Sequence, residues 1–268
     1  MNAAALATIR EVVQRRSGIA MAADKDYLVA ARLEPMLPQL GVASTAALAD
    51  RIGRQNDMRL AMLVTDALTT NETLWFRDGR PFELLRDVVV PDILERRATE
   101  REMRFWSAAC STGQEPYSLA IQLAEDTARL AGWRWRILGT DLSATAVARA
   151  REARYSQFEV QRGLSAHRLI KHFSKEGEFW RLKEVLRGVV ELREANLLSL
   201  PPLGPFDAVL CRNVLIYFDV PTKRAVLEAV AARMRPGGWL QLGAAETTLG
   251  ITAAFAPDPV HRGLYRRV

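Results

Sequence analysis

The chain has 268 residues, 49% of them apolar, which is enough to bury a core for one large domain and one small one. Its 37 Lys and Arg against 31 Asp and Glu give a formal charge of +6, which permits an acidic protein surface or a polyanion as partner. No apolar run approaches the roughly 18 residues of a membrane span, and the start Met1-Asn2-Ala3-Ala4-Ala5-Leu6 lacks the basic front of a secretory signal, so a cytoplasmic protein, not embedded in a membrane, is expected.

Residues 1–66 read as short amphipathic helices that form an amino-terminal domain. Leu6, Ile9 and Val13 share one face, and Tyr27, Leu28 and Ala31 precede a stop at Pro35. Ser44 is placed to cap a helix carrying Leu48 and Ile52. Asn56 or Asp57 is placed to cap another, with Leu60, Leu63, Val64 and Ala67 at helical spacing. Arg51, Arg54 and Arg59 are expected on one broad helical face. No strand pattern precedes residue 100.

Residues 67–80 read as a linker. Within it, Asn71-Glu72-Thr73-Leu74-Trp75-Phe76-Arg77 admits two readings: polar residues folded over a crevice, or an Asn or Thr that caps a helix. Spacing alone does not choose between them.

From residue 81 to 268 helices alternate with short apolar runs, the pattern of a mostly parallel α/β sheet with crossover helices. A helix is expected over 81–97. Strands are expected at 105–108, 136–140, 189–193, 208–211 and 239–243, helices at 117–130, 144–154 and 221–234, and an antiparallel end over 255–268. Residues 155–188 fit no single crossover helix and read as an insertion. Between Arg154 and Arg187 eight Lys or Arg face four Glu, so this stretch carries a net +4. A solvated face explains such a run as well as a binding role does.

The most informative segment is 107–118, Ser-Ala-Ala-Cys-Ser-Thr-Gly-Gln-Glu-Pro-Tyr-Ser, which lies between an expected strand and an expected helix. In an open α/β sheet such a turn sits at the carboxyl end of a strand, where small residues let a ligand approach the backbone. It holds Gly113 alone and no G-x-G-x-x-G, while Glu115 would repel a pyrophosphate. A cationic nucleoside ligand without phosphate suits it better.

Gly139-Thr140-Asp141 ends the second strand, where an acidic residue either accepts from a ribose diol or caps the next helix. Asn196-Leu197 follows the third strand, as an amide near an adenine edge or as an ordinary turn. The run from Phe206 to Phe218 is a buried strand that opens into polar residues and should deliver Arg212, Asn213 and Tyr217 to the same crevice. If the first and fourth strands are neighbours, Cys110 and Cys211 end adjacent strands, as buried small hydrophobes rather than reactive thiols. Those two cysteines and the scattered His167, His172 and His261 make neither a disulfide framework nor a metal-ligand spacing, and no metal is expected.

Four segments together, Thr70–Arg77, Cys110–Ser118, Gly139–Ser143 and Arg212–Phe218, resemble the chemotaxis receptor methyltransferases, the CheR family, and the likeness extends over nearly the whole chain. The resemblance implies a protein-glutamate O-methyltransferase that moves a methyl group from S-adenosyl-L-methionine to glutamates of membrane chemoreceptors, leaving S-adenosyl-L-homocysteine. It implies a helical first domain, then a Rossmann-like methyltransferase domain bearing a small antiparallel β subdomain at 155–188. By motif position, Asn71, Thr73 and Arg77 contact the methionine end of the cofactor or the site around it, and Glu115 lies near its amino group. Asp141 lies on the ribose, Asn196 and Leu197 around adenine, and Arg212 and Asn213 beneath the cofactor. Tyr217 flanks the transferred methyl, and Arg77 and Tyr217 orient the substrate carboxylate. Docking on the receptor's helical methylation region is assigned to Arg51, Arg54, Arg59 and the basic subdomain.

Two departures accompany the likeness. Ala109 and Gln114 stand where the family commonly has Gly and Glu, and the subdomain offers Gly177 alone where some members use a glycine-bearing loop to hold a receptor's carboxyl-terminal pentapeptide. A tether-independent member is expected. The competing readings are a methyltransferase for nucleic acid or a small molecule, for which no set of stacking aromatics is evident, and a catalytically silent docking or cofactor-sensing module. The presence of Glu115, Asp141 and Tyr217 argues against the silent module.

Overall fold

The computed structural model describes residues 3–268 and divides into two compact units. One holds the chain up to Thr70 together with Tyr217–Lys223, the other Asn71–Ile216 with Arg224–Val268.

The first unit is built from α1 (Ala3–Ser17), α2 (Asp26–Leu33), α3 (Thr45–Gly53) and α4 (Met58–Leu68). Leu6, Ile9 and Val13 of α1 meet Val29 and Leu33, Leu48 and Ile52, and Leu60 and Val64 in one apolar core, each such side chain contributing about 1.5–3 kcal/mol on burial. Two helix starts are capped as their sequences require: Ser44 Oγ accepts from Ala47 N–H at 3.1 Å, and Asp57 Oδ1 from Leu60 N–H at 3.0 Å. The segment Tyr217–Lys223 joins this unit because Gly18, at φ +76°, leaves room for it. A Cβ there would come within 2.9 Å of Thr222 Cγ2, and Ala20 N–H donates to the Tyr217 carbonyl at 2.9 Å.

Three expectations for this unit are corrected. The buried stripe of α2 is Val29, Ala30 and Leu33, while Tyr27 and Leu28 are exposed, because only the former repeat on the side that faces α1 and α4. Leu63 is likewise exposed on α4. Arg51, Arg54 and Arg59 do not share one helical face, since the cap at Asp57 begins a new helix between Arg54 and Arg59. Arg51 pairs with Asp57 at 2.6 Å and Arg54 pairs with Asp50, leaving exposed Arg59 without an ion pair among the described residues.

The second unit is α/β. Ten strands are numbered in chain order; β1 (Glu102–Ala108), β2 (Arg134–Asp141), β6 (Val190–Glu194), β7 (Phe206–Cys211) and β8 (Met234–Leu242) run parallel in the order β6-β2-β1-β7-β8. β10 (Leu264–Arg267) adds antiparallel to β8, and β9 (Phe255–Pro257) antiparallel to β10. The chain order of the strands reverses between β1 and β7, which makes that gap the topological switch point where open sheets bind ligands.

The helix expected over 81–97 is three consecutive pieces: α5 (Arg80–Leu84), a π turn (Leu85–Val89) and α6 (Val90–Arg96). Pro91 has no N–H to return to the turn below, so the regular ladder widens there. α7 (Gln114–Glu125) begins three residues before its expected start, and Pro116 is tolerated because its N–H would have no partner in a first turn. α8 (Ala144–Glu152) follows β2.

Residues 154–187 form a second, antiparallel sheet in the order β3-β5-β4, from β3 (Arg154–Ser156), β4 (Phe173–Glu176) and β5 (Phe179–Leu182), with three short helices, α9 (Gln157–Gln161), α10 (Ala166–His172) and α11 (Glu184–Arg187). Trp75, fully buried, anchors it by edge-on contacts to Tyr155 at 4.9 Å and Phe173 at 5.2 Å. Its basic excess is largely met by carboxylates: Arg154 and Arg181 face Glu176, Arg187 faces Glu184, and Arg162 and Arg168 reach Glu72 and Glu125 outside the stretch. α12 (Val220–Ala231) precedes β8. Among the described residues no helix is long and apolar enough to cross a membrane.

Candidate active site

The turn after β1 departs from ordinary backbone at three places: Ala109 (φ 60°), Ser111 (φ 51°) and Gly113 (φ 94°) are all left-handed. Small side chains make the first two tolerable, and a glycine is needed at the third. A Cβ on Gly113 would sit 3.0–3.1 Å from Ala150, Tyr117 and Tyr155, and Tyr155 Oη donates to the Thr112 carbonyl at 2.9 Å. The strained turn is therefore packed from below by α7, α8 and the small sheet.

Glu115 lies in the first turn of α7, nearly buried, where a carboxylate also complements the helix amino terminus. Its Oε1 accepts from Ser107 Oγ at 2.7 Å and its Oε2 from Arg212 Nη1 at 2.9 Å. Arg212 follows β7, so this ion pair bridges the switch point. The other terminal nitrogen of Arg212 donates to Asp78 Oδ2 at 2.7 Å and to the Arg77 carbonyl at 2.9 Å, while its Nε is buried with no hydrogen-bond partner among the described residues.

Asp141 closes β2 on the far side of the turn. Its Oδ2 accepts from Ser111 N–H at 2.7 Å and its Oδ1 from Ser143 N–H at 2.9 Å, whereas Ser143 is the residue that caps α8. Ala195 N–H donates to the Asp141 carbonyl at 2.8 Å, which brings Asn196 and Leu197 beside it. Asn196 Oδ1 accepts from Leu198 N–H at 3.0 Å, and Leu197 is buried. The segment expected to be either a fold-over or a helix start is not helical. The Asn71 carbonyl accepts from Ser111 Oγ at 2.8 Å, its Nδ2 reaches Ser143 Oγ at 3.4 Å, and Phe76 N–H donates to Ser118 Oγ at 3.0 Å.

Two groups of short contacts thus lie at the carboxyl ends of the strands: Glu115 with Ser107 and Arg212, and Asp141 with Ser111, to which Asn71 is bonded, while Asn196 and Leu197 follow Ala195, whose N–H meets the Asp141 carbonyl. Thr73 and Arg77 lie in the same linker segment, both partly buried; the Arg77 guanidinium turns back to the Glu72 carbonyl at 3.2 Å. Asn213 follows Arg212 at φ 59°. Tyr217 belongs to the first unit's segment and is not among these contacts. Cys110 lies buried two residues beyond β1 and Cys211 ends the adjacent β7, and burial pushes both thiols well above the ordinary range, with Asp141 and Glu115 adding to the effect at Cys110 and Glu246 and Glu115 at Cys211.

Sequence reasoning missed Ser107, Ser111, Ser143 and Asp78. Three are serines whose partners lie 8, 30 and 2 residues away at the hydrogen bonds above, and only the Asp-x-Ser spacing at 141–143 was visible as a local signal.

Residues 71–262 match the family described as CheR methyltransferase, SAM binding domain, and residues 4–69 match its all-alpha domain. The chain belongs to the CheR methyltransferase family. This CheR chain is 41% identical to the chemotaxis protein methyltransferase Cher2 of Pseudomonas putida over 247 residues, 90% of each chain. It is 42% identical to chemotaxis protein methyltransferase 1 of Pseudomonas aeruginosa over 88% of each, and 39% identical to the chemotaxis protein methyltransferase of Vibrio parahaemolyticus over 91% of this chain and 89% of the relative. It is a methyltransferase of the chemotaxis type, and S-adenosylmethionine is its cofactor. The donor set suits that cofactor: two nearly buried carboxylates, Glu115 and Asp141, of a kind that accepts from cationic and hydroxyl groups, and a buried guanidinium nitrogen, Arg212 Nε, with a hydrogen still to donate.

Proposed function

We propose that the protein methylates glutamate side chains of chemoreceptors, the methyl-accepting chemotaxis proteins, to glutamyl methyl esters and so tunes chemotactic adaptation from the cytoplasm. The observation that carries this reading is the Glu115–Arg212 pair across the switch point, inside a CheR-family chain. A buried carboxylate already balanced by one cation gives a cationic ligand a fixed anchor without leaving an isolated charge.

When bound, S-adenosylmethionine supplies a methyl carbon made electrophilic by sulfonium. Glu115 would hold its amino group, Asp141 its ribose hydroxyls, Asn196 and Leu197 its adenine, Asn71 and Thr73 the methionine end, and Arg212 and Asn213 the underside. The acceptor glutamate, with an ordinary pKa of about 4.3, is already ionised at neutral pH. A general base is therefore unnecessary, and the chain's work is to align the acceptor oxygen and exclude water. Arg77 and Tyr217 would orient that carboxylate, a forked guanidinium grip being useful only if it is not tighter in the ground state than at the transition state.

The receptor's helical methylation region is assigned to Arg51, Arg54 and Arg59 and to the 155–188 subdomain. With Arg51 and Arg54 engaged by aspartates, Arg59 is the member with most charge to offer. The test is incubation with methyl-labelled S-adenosylmethionine and receptor-containing membranes. Label released by mild base as methanol is expected; base-stable label refutes ester formation.

A further inference from the structure

The turn after β7 is held by one carboxylate that the site described above does not use. Glu246, about as buried as Glu115, accepts five backbone N–H groups. Its Oε1 takes Val214 at 2.9 Å, Leu215 at 2.7 Å and Ile216 at 3.3 Å; its Oε2 takes Asn213 at 2.8 Å and Gly243 at 2.7 Å. Four consecutive N–H groups converging on one point form a concave anion site. Here the anion is supplied by the chain itself, from beyond the end of β8.

The local backbone is shaped to that arrangement. Asn213 is left-handed at φ 59°. A Cβ on Gly243 would lie 2.7 Å from Glu246 Oε2 and 2.9 Å from Asn213 Nδ2, so that position requires glycine by close approach. The Arg212-Asn213 dipeptide is consequently held twice: its guanidinium by Glu115 across the switch point, its backbone by Glu246.

We infer that Glu246 is a positioning residue for cofactor binding: its carboxylate fixes the 213–216 turn so that Arg212 and Asn213 present the geometry the cofactor requires. The inference rests on the reading that Arg212 and Asn213 face the cofactor. Glu246 has its own oxygens filled by N–H donors and acts through those residues.

The test uses the full chain with Glu246→Gln and Glu246→Asp. A glutamine has one acceptor oxygen, and whichever way its amide is turned at least two of the five N–H groups meet an NH2 instead. The probes are S-adenosylhomocysteine affinity by calorimetry, and hydrogen exchange of the 213–216 amides without any ligand. Expected for Glu246→Gln are an affinity weaker by about tenfold or more, and faster exchange confined to 213–216. Glu246→Asp, which keeps the carboxylate, should recover part of both. If Glu246→Gln does not fold, the same two measurements on Glu246→Asp against the parent chain carry the test. Affinity within about twofold of the parent, or faster exchange spread evenly over the whole sheet, overturns the inference. Because homocysteine-product binding needs no methyl acceptor, these outcomes are independent of whether chemoreceptor glutamates are the substrate.

Discussion

Arg212 and Glu115 stand 97 residues apart in the chain and meet at 2.9 Å as an ion pair whose arginine side chain is 1% exposed. Removing Arg212 leaves the nearly buried Glu115 carboxylate without its cation, at a cost of about 3–5 kcal/mol, whereas Arg212 keeps Asp78 as a partner when Glu115 is removed, and removing both members of the pair costs far less. Arg212→Met should therefore lower stability strongly and Glu115→Gln less, because Asp78 still faces the guanidinium, and the double variant should recover much of the Arg212→Met loss. S-adenosylhomocysteine affinity should be lost in Glu115→Gln and in the double variant, because the anchor for the amino group is gone. Denaturant unfolding and calorimetry check this; a double variant that regains affinity would sink the assigned role of Glu115.

Gly163 shows how the small sheet is fastened to the linker. Trp75 N–H donates to the Arg162 carbonyl at 3.1 Å, and a Cβ on Gly163, at φ +96°, would lie 1.9 Å from the Trp75 carbonyl oxygen. Gly163→Ala should destabilise by about 1–3 kcal/mol from backbone strain alone, with more from displacement of Trp75. A urea midpoint unchanged from the parent would contradict this packing.

His172 Nε2 lies 3.0 Å from Glu125 Oε1, and Arg168 grips the same carboxylate. Burial lowers the His172 pKa below its ordinary 6.5 despite the opposing pull of Glu125. The folded state thus binds fewer protons than the unfolded one, so this contribution to stability is present above 6.5 and is lost as pH falls below it. Burial acts to raise Glu125, but hydrogen bonds from Arg168 and His172 outweigh it and lower its pKa, so its contribution is lost only below the ordinary 4.5. The melting temperature should fall between pH of about 7 and about 5, and His172→Gln should flatten that part of the profile. An identical slope in the variant would refute the assignment.

Charge reversal at Arg59 should slow methylation of receptor membranes severalfold and leave S-adenosylhomocysteine affinity unchanged, because an exposed charge acts on encounter rather than on the site. The effect should shrink as salt is raised. Equal rates at low salt would remove this helix from the docking surface.

Much of the site was legible because strand ends carry their own signals. The small-residue turn at 107–118 lies after a strand and before a helix, and Asp141 and Arg212 each follow an apolar run, so topology alone sends all three to one crevice. The cap residue Ser44 was equally readable, since a cap is a contact between residues three apart, while the second cap was narrowed to Asn56 or Asp57 and the structure places it at Asp57. The partners of those strand-end residues were not readable. Ser107 under Glu115, Ser111 on Asp141 and Asp78 on Arg212 depend on where turns close in space, and a lone serine or aspartate carries no period.

The amino-acid sequence by itself determined the helical first region, the order of strands and helices of the main sheet outside residues 155–188, its antiparallel end and the strand ends that make the crevice, because these follow from apolar periodicity and short-range capping. Only the tertiary structure decided that Arg51, Arg54 and Arg59 fall on two helices with two of them neutralised, that residues 217–223 pack with the first unit, and that Glu246 gathers five N–H groups from the turn after β7. The first turns on where one helix stops and the next begins, which sets the short-range pairs Arg51–Asp57 and Arg54–Asp50. The other two join groups tens of residues apart, where sequence spacing exerts no force and only the folded backbone sets the distance.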